Sequence, residues 1–241
     1  MVHALIFAGG TGKRMNSRAK PKQFLELHGK SVIIYTVEIF EKHPEVDDIT
    51  IVCLKGWIDE LKYQLKKNLI QKVKVIVPGG ATGHESIALG LEAMKDIASD
   101  DDIVLIHDGV RPLITDKIIS ENIEAVKKYG SAITAARAAE TVVLTEGTQD
   151  ICIQSVTNRD ATYTAKAPQS FFYGEILEAY REAKKRDILA IDSAHLLNIL
   201  GKSNLHIVPC SRHNLKITEP ADYYIFRALY EAMENEQIGE I

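Results

Sequence analysis

Short runs of apolar, β-favouring residues alternate along this chain with longer stretches in which apolar positions recur every three or four residues. Runs of the first kind, at residues 4–8, 49–54, 73–77, 103–106 and 132–136, predict buried strands, because continuous apolar runs suit strands covered on both faces. Stretches of the second kind, at 32–42, 57–67, 86–98 and 115–128, predict helices that lay one stripe on a sheet. Their alternation is that of parallel strands joined by crossover helices, so the expected fold is α/β: a Rossmann-like, doubly wound, mostly parallel sheet. Ligands of such sheets bind beyond the carboxyl ends of the strands, so the loops after Ala8, Val77 and Ile106 are expected to meet in one crevice.

Past residue 136 the rhythm changes. Residues 140–145 and 151–156 predict a hairpin around Glu146-Gly147-Thr148-Gln149, projecting from the main sheet as a β-arm. After Pro168, helical patterning returns at 174–185 and 193–200, followed by a strand near 205–208 and a last helix over 220–233. Pro220 suits the first turn of that helix. No internal repeat, low-complexity tract or long linker interrupts the chain, so one domain over 1–241 is expected.

Composition narrows the function classes. With 241 residues, 46% hydrophobic and 26% charged, the chain can bury the core of one large α/β domain. A net charge of -4 supplies no global attraction to nucleic acid or anionic lipid, so any anion site must be built locally. Cys53, Cys152 and Cys210 lie far apart, are odd in number and have no Cys-x-x-Cys spacing, which points to a reducing, cytoplasmic setting. The apolar run at 4–8 is too short for a membrane span or a signal segment, and an untargeted soluble protein is expected. The eight histidines show no metal-ligand spacing.

Phe7-Ala8-Gly9-Gly10-Thr11-Gly12-Lys13-Arg14 follows the first strand directly, and its glycines let backbone N–H groups close on a phosphate. A Walker loop would need Ser or Thr after Gly-Lys, where Arg14 stands, and a glycine at Phe7. A dinucleotide fingerprint would use Gly10 and Gly12 but finds Met15 in place of its third glycine. Lys20-Pro21-Lys22-Gln23-Phe24 adds cations just downstream.

This loop, with Pro21-Lys22-Gln23, resembles the signature of the cytidylyltransferases that act on polyol phosphates. Further segments resemble that family in order along nearly the whole chain: Gly79-Gly80 with Ser86-Ile87-Ala88-Leu89-Gly90-Leu91, His107-Asp108-Gly109-Val110-Arg111-Pro112, Asn158-Arg159, Ala167-Pro168-Gln169-Ser170-Phe171, Asp192 with Ala194, and Asn214-Leu215-Lys216-Ile217-Thr218. Two branches are the methylerythritol phosphate enzymes of isoprenoid synthesis and the ribitol-5-phosphate enzymes of teichoic acid and capsule synthesis. Gly9-Gly10 and Gly56-Trp57 look more like the ribitol branch.

The resemblance implies a nucleotidyltransferase that joins a polyol phosphate to the CMP part of CTP and releases pyrophosphate. It implies catalytic roles for Arg14, Lys22, Arg159 and Lys216. CTP would be bound by Phe7, Ala8, Gly9, Gly10, Gly12, Gly80, Ala81, Thr82 and Ser86, and the acceptor by Asp108, Arg111, Thr141, Arg159 and Lys216. Asp108 is expected to bind a polyol hydroxyl first and to contact magnesium second, and a purely structural pairing of Asp108 with Arg111 stays open. Mg2+ is expected with the triphosphate, held mainly through phosphate oxygens and water. A homodimer is also implied, its arms at 138–164 completing the partner's acceptor pocket, with no nucleic-acid or membrane partner.

Departures fall at Gly83, where the family commonly has Arg, and at Ile191-Asp192-Ser193-Ala194, where it has Thr-Asp-Glu/Asp-Ala. His84 has a nucleotide contact and a solvated loop position as its two readings, and Lys13, Arg18 and Lys20 read as surface charges. Two other functions fit parts of the pattern. A dinucleotide-dependent oxidoreductase would share the opening strand and turn, but Cys53-Leu54-Lys55 offers no acidic residue at the end of the second strand. A catalytically dead binding module would bind CTP without turnover.

Overall fold

The structure, a computed structural model, describes residues 1–10, 20–146 and 151–235. Its strands and helices, in chain order, are β1 (Val2–Ala8), β2 (Glu26–Leu27), β3 (Lys30–Ser31), α1 (Val32–Lys42), β4 (Asp48–Cys53), α2 (Ile58–Lys67), β5 (Val73–Pro78), α3 (Gly83–Ala93), β6 (Ile103–Asp108), α4 (Asp116–Tyr129), β7 (Ser131–Arg137), β8 (Val143–Glu146), β9 (Cys152–Val156), β10 (Tyr163–Phe172), α5 (Tyr173–Lys185), α6 (Ser193–Ile199), β11 (Ile207–Pro209) and α7 (Pro220–Glu234).

The central sheet has seven strands in the order β11-β7-β10-β6-β1-β4-β5. β1 pairs in parallel with both β4 and β6, and β4 with β5. After β1 the chain moves outward through β4 and β5, then returns to place β6 on the other side of β1. The strand order therefore reverses between β1 and β6, where the carboxyl ends of two neighbouring strands part into a crevice. Phe7 on β1 is registered against Asp108 on β6, so the glycine loop and the acidic strand end sit side by side.

Strand alternation divides the core. Ala4, Ile6, Ile49, Ile51 and Leu105 pack to one face with Ile33, Phe40 and Ile119 from α1 and α4. Leu5, Val52, Val104 and Ile106 pack to the other with Ile87, Leu91 and Ile176 from α3 and α5. Period-two burial on both faces is what a doubly wound sheet requires of its central strands.

β10 is a strand where sequence periodicity predicts none. It runs antiparallel between β6 and β7 and makes an otherwise parallel sheet mixed. Pro168 argues against a central strand because it cannot donate a ladder bond. Here it lies where the register of β10 on β7 shifts between Ala165 and Gln169, so that ladder is already interrupted. α3 begins at Gly83 rather than residue 86, because the Thr82 hydroxyl caps it by accepting the Glu85 N–H at 3.1 Å. The β8–β9 hairpin forms a separate two-stranded sheet with every residue exposed. Gly147, Thr148 and Gln149 of its expected turn lie outside the described residues.

Candidate active site

Asp108 ends β6 with its side chain only 8% exposed, where an unpaired carboxylate would be costly. Arg111 Nε donates to its Oδ2 at 2.8 Å, and Lys216 Nζ lies 2.5 Å from Oδ1. Burial by itself would raise the Asp108 pKa, but the charges of Lys216 and Arg111 outweigh it and hold the carboxyl well below the usual carboxylate range. Arg111 is itself buried and spends Nη1 on the Asn214 carbonyl at 2.9 Å. The pairing of Asp108 with Arg111 is thus present, as part of a wider cluster that also holds Lys216.

Local structure sets that cluster. The turn after β6 is closed by the Arg111 N–H to the Asp108 carbonyl at 3.1 Å, and the Gly109 N–H reaches back to Phe7 on β1 at 3.0 Å. Fully buried His107 donates from Nε2 to the Arg111 carbonyl, and burial lowers its pKa to about 4, leaving a neutral ring at neutral pH. On the facing loop, the Ile217 N–H donates to Val110 at 2.9 Å and Lys22 Nζ donates to the Ile217 carbonyl at 2.9 Å. Lys216 is held between these anchors, its Nζ 5.9 Å from the Phe7 ring centroid. Lys22, Asp108, Arg111 and Lys216, from three distant parts of the chain, converge beside the end of β1.

The two glycine loops also meet. A Cβ on Gly79 would lie 2.8 Å from the Gly9 Cα, so the backbones approach as closely as glycine alone permits. The Gly80 N–H donates to Ser86 Oγ at 3.2 Å, which in turn donates to the Thr82 carbonyl at 2.8 Å, while Ala81 N–H donates to Glu85 at 2.6 Å. These bonds shape the loop; Thr82 and Ser86 use their hydroxyls on it. Gly10 is exposed with open space at its Cα, and Gly83 likewise leaves room where a larger side chain would stand, 3.9 Å from Phe7 at the nearest.

Gln23 carries no role in the sequence reading, yet its buried amide donates to the carbonyls of Ala8 at 2.7 Å and Gly10 at 3.2 Å and so pins the first glycine loop. Lys166 and Asn214 are likewise unassigned by spacing, because their partners are backbone carbonyls far away in sequence. Arg159 sits in a short 3-10 turn at the base of the arm and Thr141 precedes β8; both are exposed. No hydrogen bond or ion pair among the described residues joins either to Asp108, Arg111 or Lys216 of the same chain. Gly12, Lys13, Arg14 and Arg18 lie outside the described residues. Asp192 caps α6 by accepting the His195 N–H at 2.8 Å.

Among the described residues no group of three or more His, Cys, Asp or Glu could hold a metal ion. Both Asp108 oxygens already face cations, which suits a metal carried by substrate phosphates better than one caged by protein. A groove of about 1280 Å³ lies elsewhere, between α4, β11 and α7, and includes neither Asp108 nor Lys216. No described helix is long and apolar enough to cross a membrane.

A switch-point crevice flanked by close-packed glycine loops and by cations on a buried carboxylate is the architecture of a nucleotide-binding transferase. The chain belongs to the IspD family, 2-C-methyl-D-erythritol 4-phosphate cytidylyltransferase, whose profile matches residues 2–231. It is a cytidylyltransferase, and the oxidoreductase alternative falls with that membership. It is 48% identical over 235 residues to a ribitol-5-phosphate cytidylyltransferase of Streptococcus agalactiae serotype V, with 97% of each chain covered. It is 36% identical to a 2-C-methyl-D-erythritol 4-phosphate cytidylyltransferase of Clostridium acetobutylicum, covering 94% of this chain and 96% of that one. Among solved structures, 4-diphosphocytidyl-2C-methyl-D-erythritol synthase from Anaerococcus prevotii superposes with a TM-score of 0.83 at 28% identity, covering 95% of this chain and 96% of the other.

Proposed function

We propose that this protein transfers CMP from CTP to D-ribitol 5-phosphate, forming CDP-ribitol and pyrophosphate. The observation that carries the chemistry is the pairing of Arg111 and Lys216 with buried Asp108 at the end of β6, to which Lys22 is joined through the Ile217 carbonyl. The choice of acceptor is supported by the greater identity to a ribitol-5-phosphate relative than to a methylerythritol one.

A phosphate oxygen of the acceptor attacks the α-phosphorus of CTP; the new P–O bond forms as the bond to the β-phosphate oxygen breaks in line. A phosphomonoester has a second pKa of about 6, so the nucleophile is already anionic near neutral pH and no strong general base is needed. The obstacle is repulsion between anions, which fixed cations and backbone N–H groups offset. In this reading Phe7, Ala8, Gly9, Gly10, Gly12, Gly80, Ala81, Thr82 and Ser86 line the CTP site. Arg14 and Lys22 take the charge that builds on the α-phosphoryl group and pyrophosphate. Lys216, with Arg159, holds the acceptor phosphate, and Asp108 with Arg111 fixes Lys216 and meets the polyol. A Mg2+ ion accompanying CTP would neutralise part of the triphosphate charge; Asp108, whose two oxygens face Arg111 and Lys216, is the carboxylate of this cluster that it would meet.

The β8–β9 arm exposes Val143, Leu144, Ile153 and Val156, apolar surface that a second copy of the chain would cover. We therefore read the protein as a homodimer whose arms carry Arg159 and Thr141 to the partner's acceptor pocket. Free cysteines at 53, 152 and 210 support a reducing, cytoplasmic setting, and the product suits teichoic acid or capsule synthesis.

The deciding assay offers purified protein, CTP and Mg2+ either ribitol 5-phosphate or methylerythritol 4-phosphate and measures pyrophosphate release. Higher kcat/KM with ribitol 5-phosphate is expected; preference for methylerythritol 4-phosphate overturns the acceptor assignment.

A further inference from the structure

Between Ala165 and Gln169, β10 advances four residues while its partner β7 passes only from Ala135 to Ile133. The excess lifts residues 166–168 out of the ladder, and the loop that carries Lys216 uses the polar groups this frees. Asn214 Nδ2 donates to the Ala167 carbonyl at 2.7 Å, and Lys166 Nζ donates to the Asn214 carbonyl at 3.1 Å. A longer contact of 3.4 Å runs from Lys166 Nζ to the Arg212 carbonyl. The Asn214 carbonyl also accepts from Arg111 Nη1, so one buried oxygen is shared by two cations. Two residues later Lys216 meets Asp108, and Ile217 is clamped by Val110 and Lys22. The segment 214–217 is therefore held at both ends with Lys216 between. The hold at the Asn214 end is shared between Arg111 and the bulge of β10.

We propose that Lys166 is a positioning residue that, through the Asn214 carbonyl, sets where Lys216 meets the acceptor phosphate. Two arguments favour this over a role in folding alone. Lys166 is half-buried, and both burial and nearby Arg111 lower its pKa, so its charge is held against local cost. A fold-stabilising contact at this place would more cheaply be apolar. Secondly, its bonds go to the one loop that carries Lys216, while the rest of β10 is already fixed by its ladders on β6 and β7. The inference rests on the proposed acceptor role of Lys216.

The test compares wild type with Lys166→Met, which keeps the alkyl stem and removes the donor, and Lys166→Arg, which restores a donor. Lys166→Met is expected to lower kcat/KM for ribitol 5-phosphate about tenfold, the loss expected from releasing one charge-assisted hydrogen bond. KM for CTP and the melting temperature should hold, and Lys166→Arg should recover most of the activity. Unchanged kcat/KM in Lys166→Met overturns the proposal. So does a fall in activity that tracks a lowered melting temperature or a raised KM for CTP, or that Arg leaves unrepaired. Lys216→Met, assayed beside them, separates the two claims: full activity in that variant sinks the reading of Lys216, whereas a severe defect there with normal Lys166→Met sinks only the positioning role.

Discussion

Asp108 organises the charges at the end of β6 because it is buried yet ionised, and its two oxygens give Arg111 and Lys216 fixed places. A cation so placed loses little solvent ordering when charge develops on a bound phosphate. Lys216→Met is therefore expected to lower kcat/KM for the polyol phosphate by about a hundredfold or more while CTP binding persists, as steady-state kinetics with each substrate varied would read out. The glycine loops give a second expectation. Gly79→Ala puts a methyl group 2.8 Å from the Gly9 Cα, where backbone rather than a flexible side chain must give way. The loops should part, raising KM for CTP several-fold and costing about 1–3 kcal/mol of stability, the usual size of overpacking. Calorimetry and CTP titration check it; a variant with native CTP affinity would contradict the close approach. Gly9 and Gly79 could be picked out by sequence as loop glycines, but their contact across 70 residues could not.

At the scale of elements, β8 and β9 of the arm leave apolar side chains uncovered within the chain. Its two strands expose their apolar residues, and a two-stranded ribbon is marginally stable alone. Ile153→Asp with Val156→Asp should convert the proposed dimer to monomer in analytical ultracentrifugation and abolish turnover. A sharper expectation uses mixed protomers. If the arm serves the neighbouring chain, inactive Arg159→Met and inactive Lys216→Met should regain activity when refolded together, because one site of each mixed dimer then has both residues. No recovery would mean that the arm serves its own chain. Helix and strand periodicity made α1, α2, α4 and the parallel strands legible, since each carries an apolar pattern set by its own covering layer. β10 was not legible: Lys166, Pro168 and Gln169 break its pattern, and its strand character comes from being flanked by β6 and β7.

Across the whole molecule, the end of the sheet opposite the site has its own charged tie. Fully buried His3 on β1 contacts Asp48 on β4 at 2.8 Å and Asp102 before β6 at 3.2 Å. Burial alone would lower the His3 pKa, but the hydrogen bonds and charges of Asp48 and Asp102 raise it above 6.5. A histidine whose folded pKa is raised contributes stability that is fully present below 6.5 and lost as pH rises through the folded value. The melting temperature should therefore fall as pH rises above 6.5 through the folded value. His3→Gln should flatten that part of the curve; an unchanged slope would remove His3 as its source.

The sequence by itself determined the layered α/β architecture, the order of most elements and the sites where charge chemistry had to be sought, because these follow from local periodicity and from residue types at strand ends. Tertiary structure decided what local pattern cannot encode. It placed β10 antiparallel between β6 and β7, brought Lys22 and Lys216 to the same strand end as Asp108, and joined the bulge at Lys166 to Asn214. The ties of Lys22 and Lys166 rest on backbone carbonyls, which every residue possesses, that of Lys216 on a carboxylate distant along the chain, and the place of β10 on its strand neighbours. Their use is settled only when the sheet closes around them.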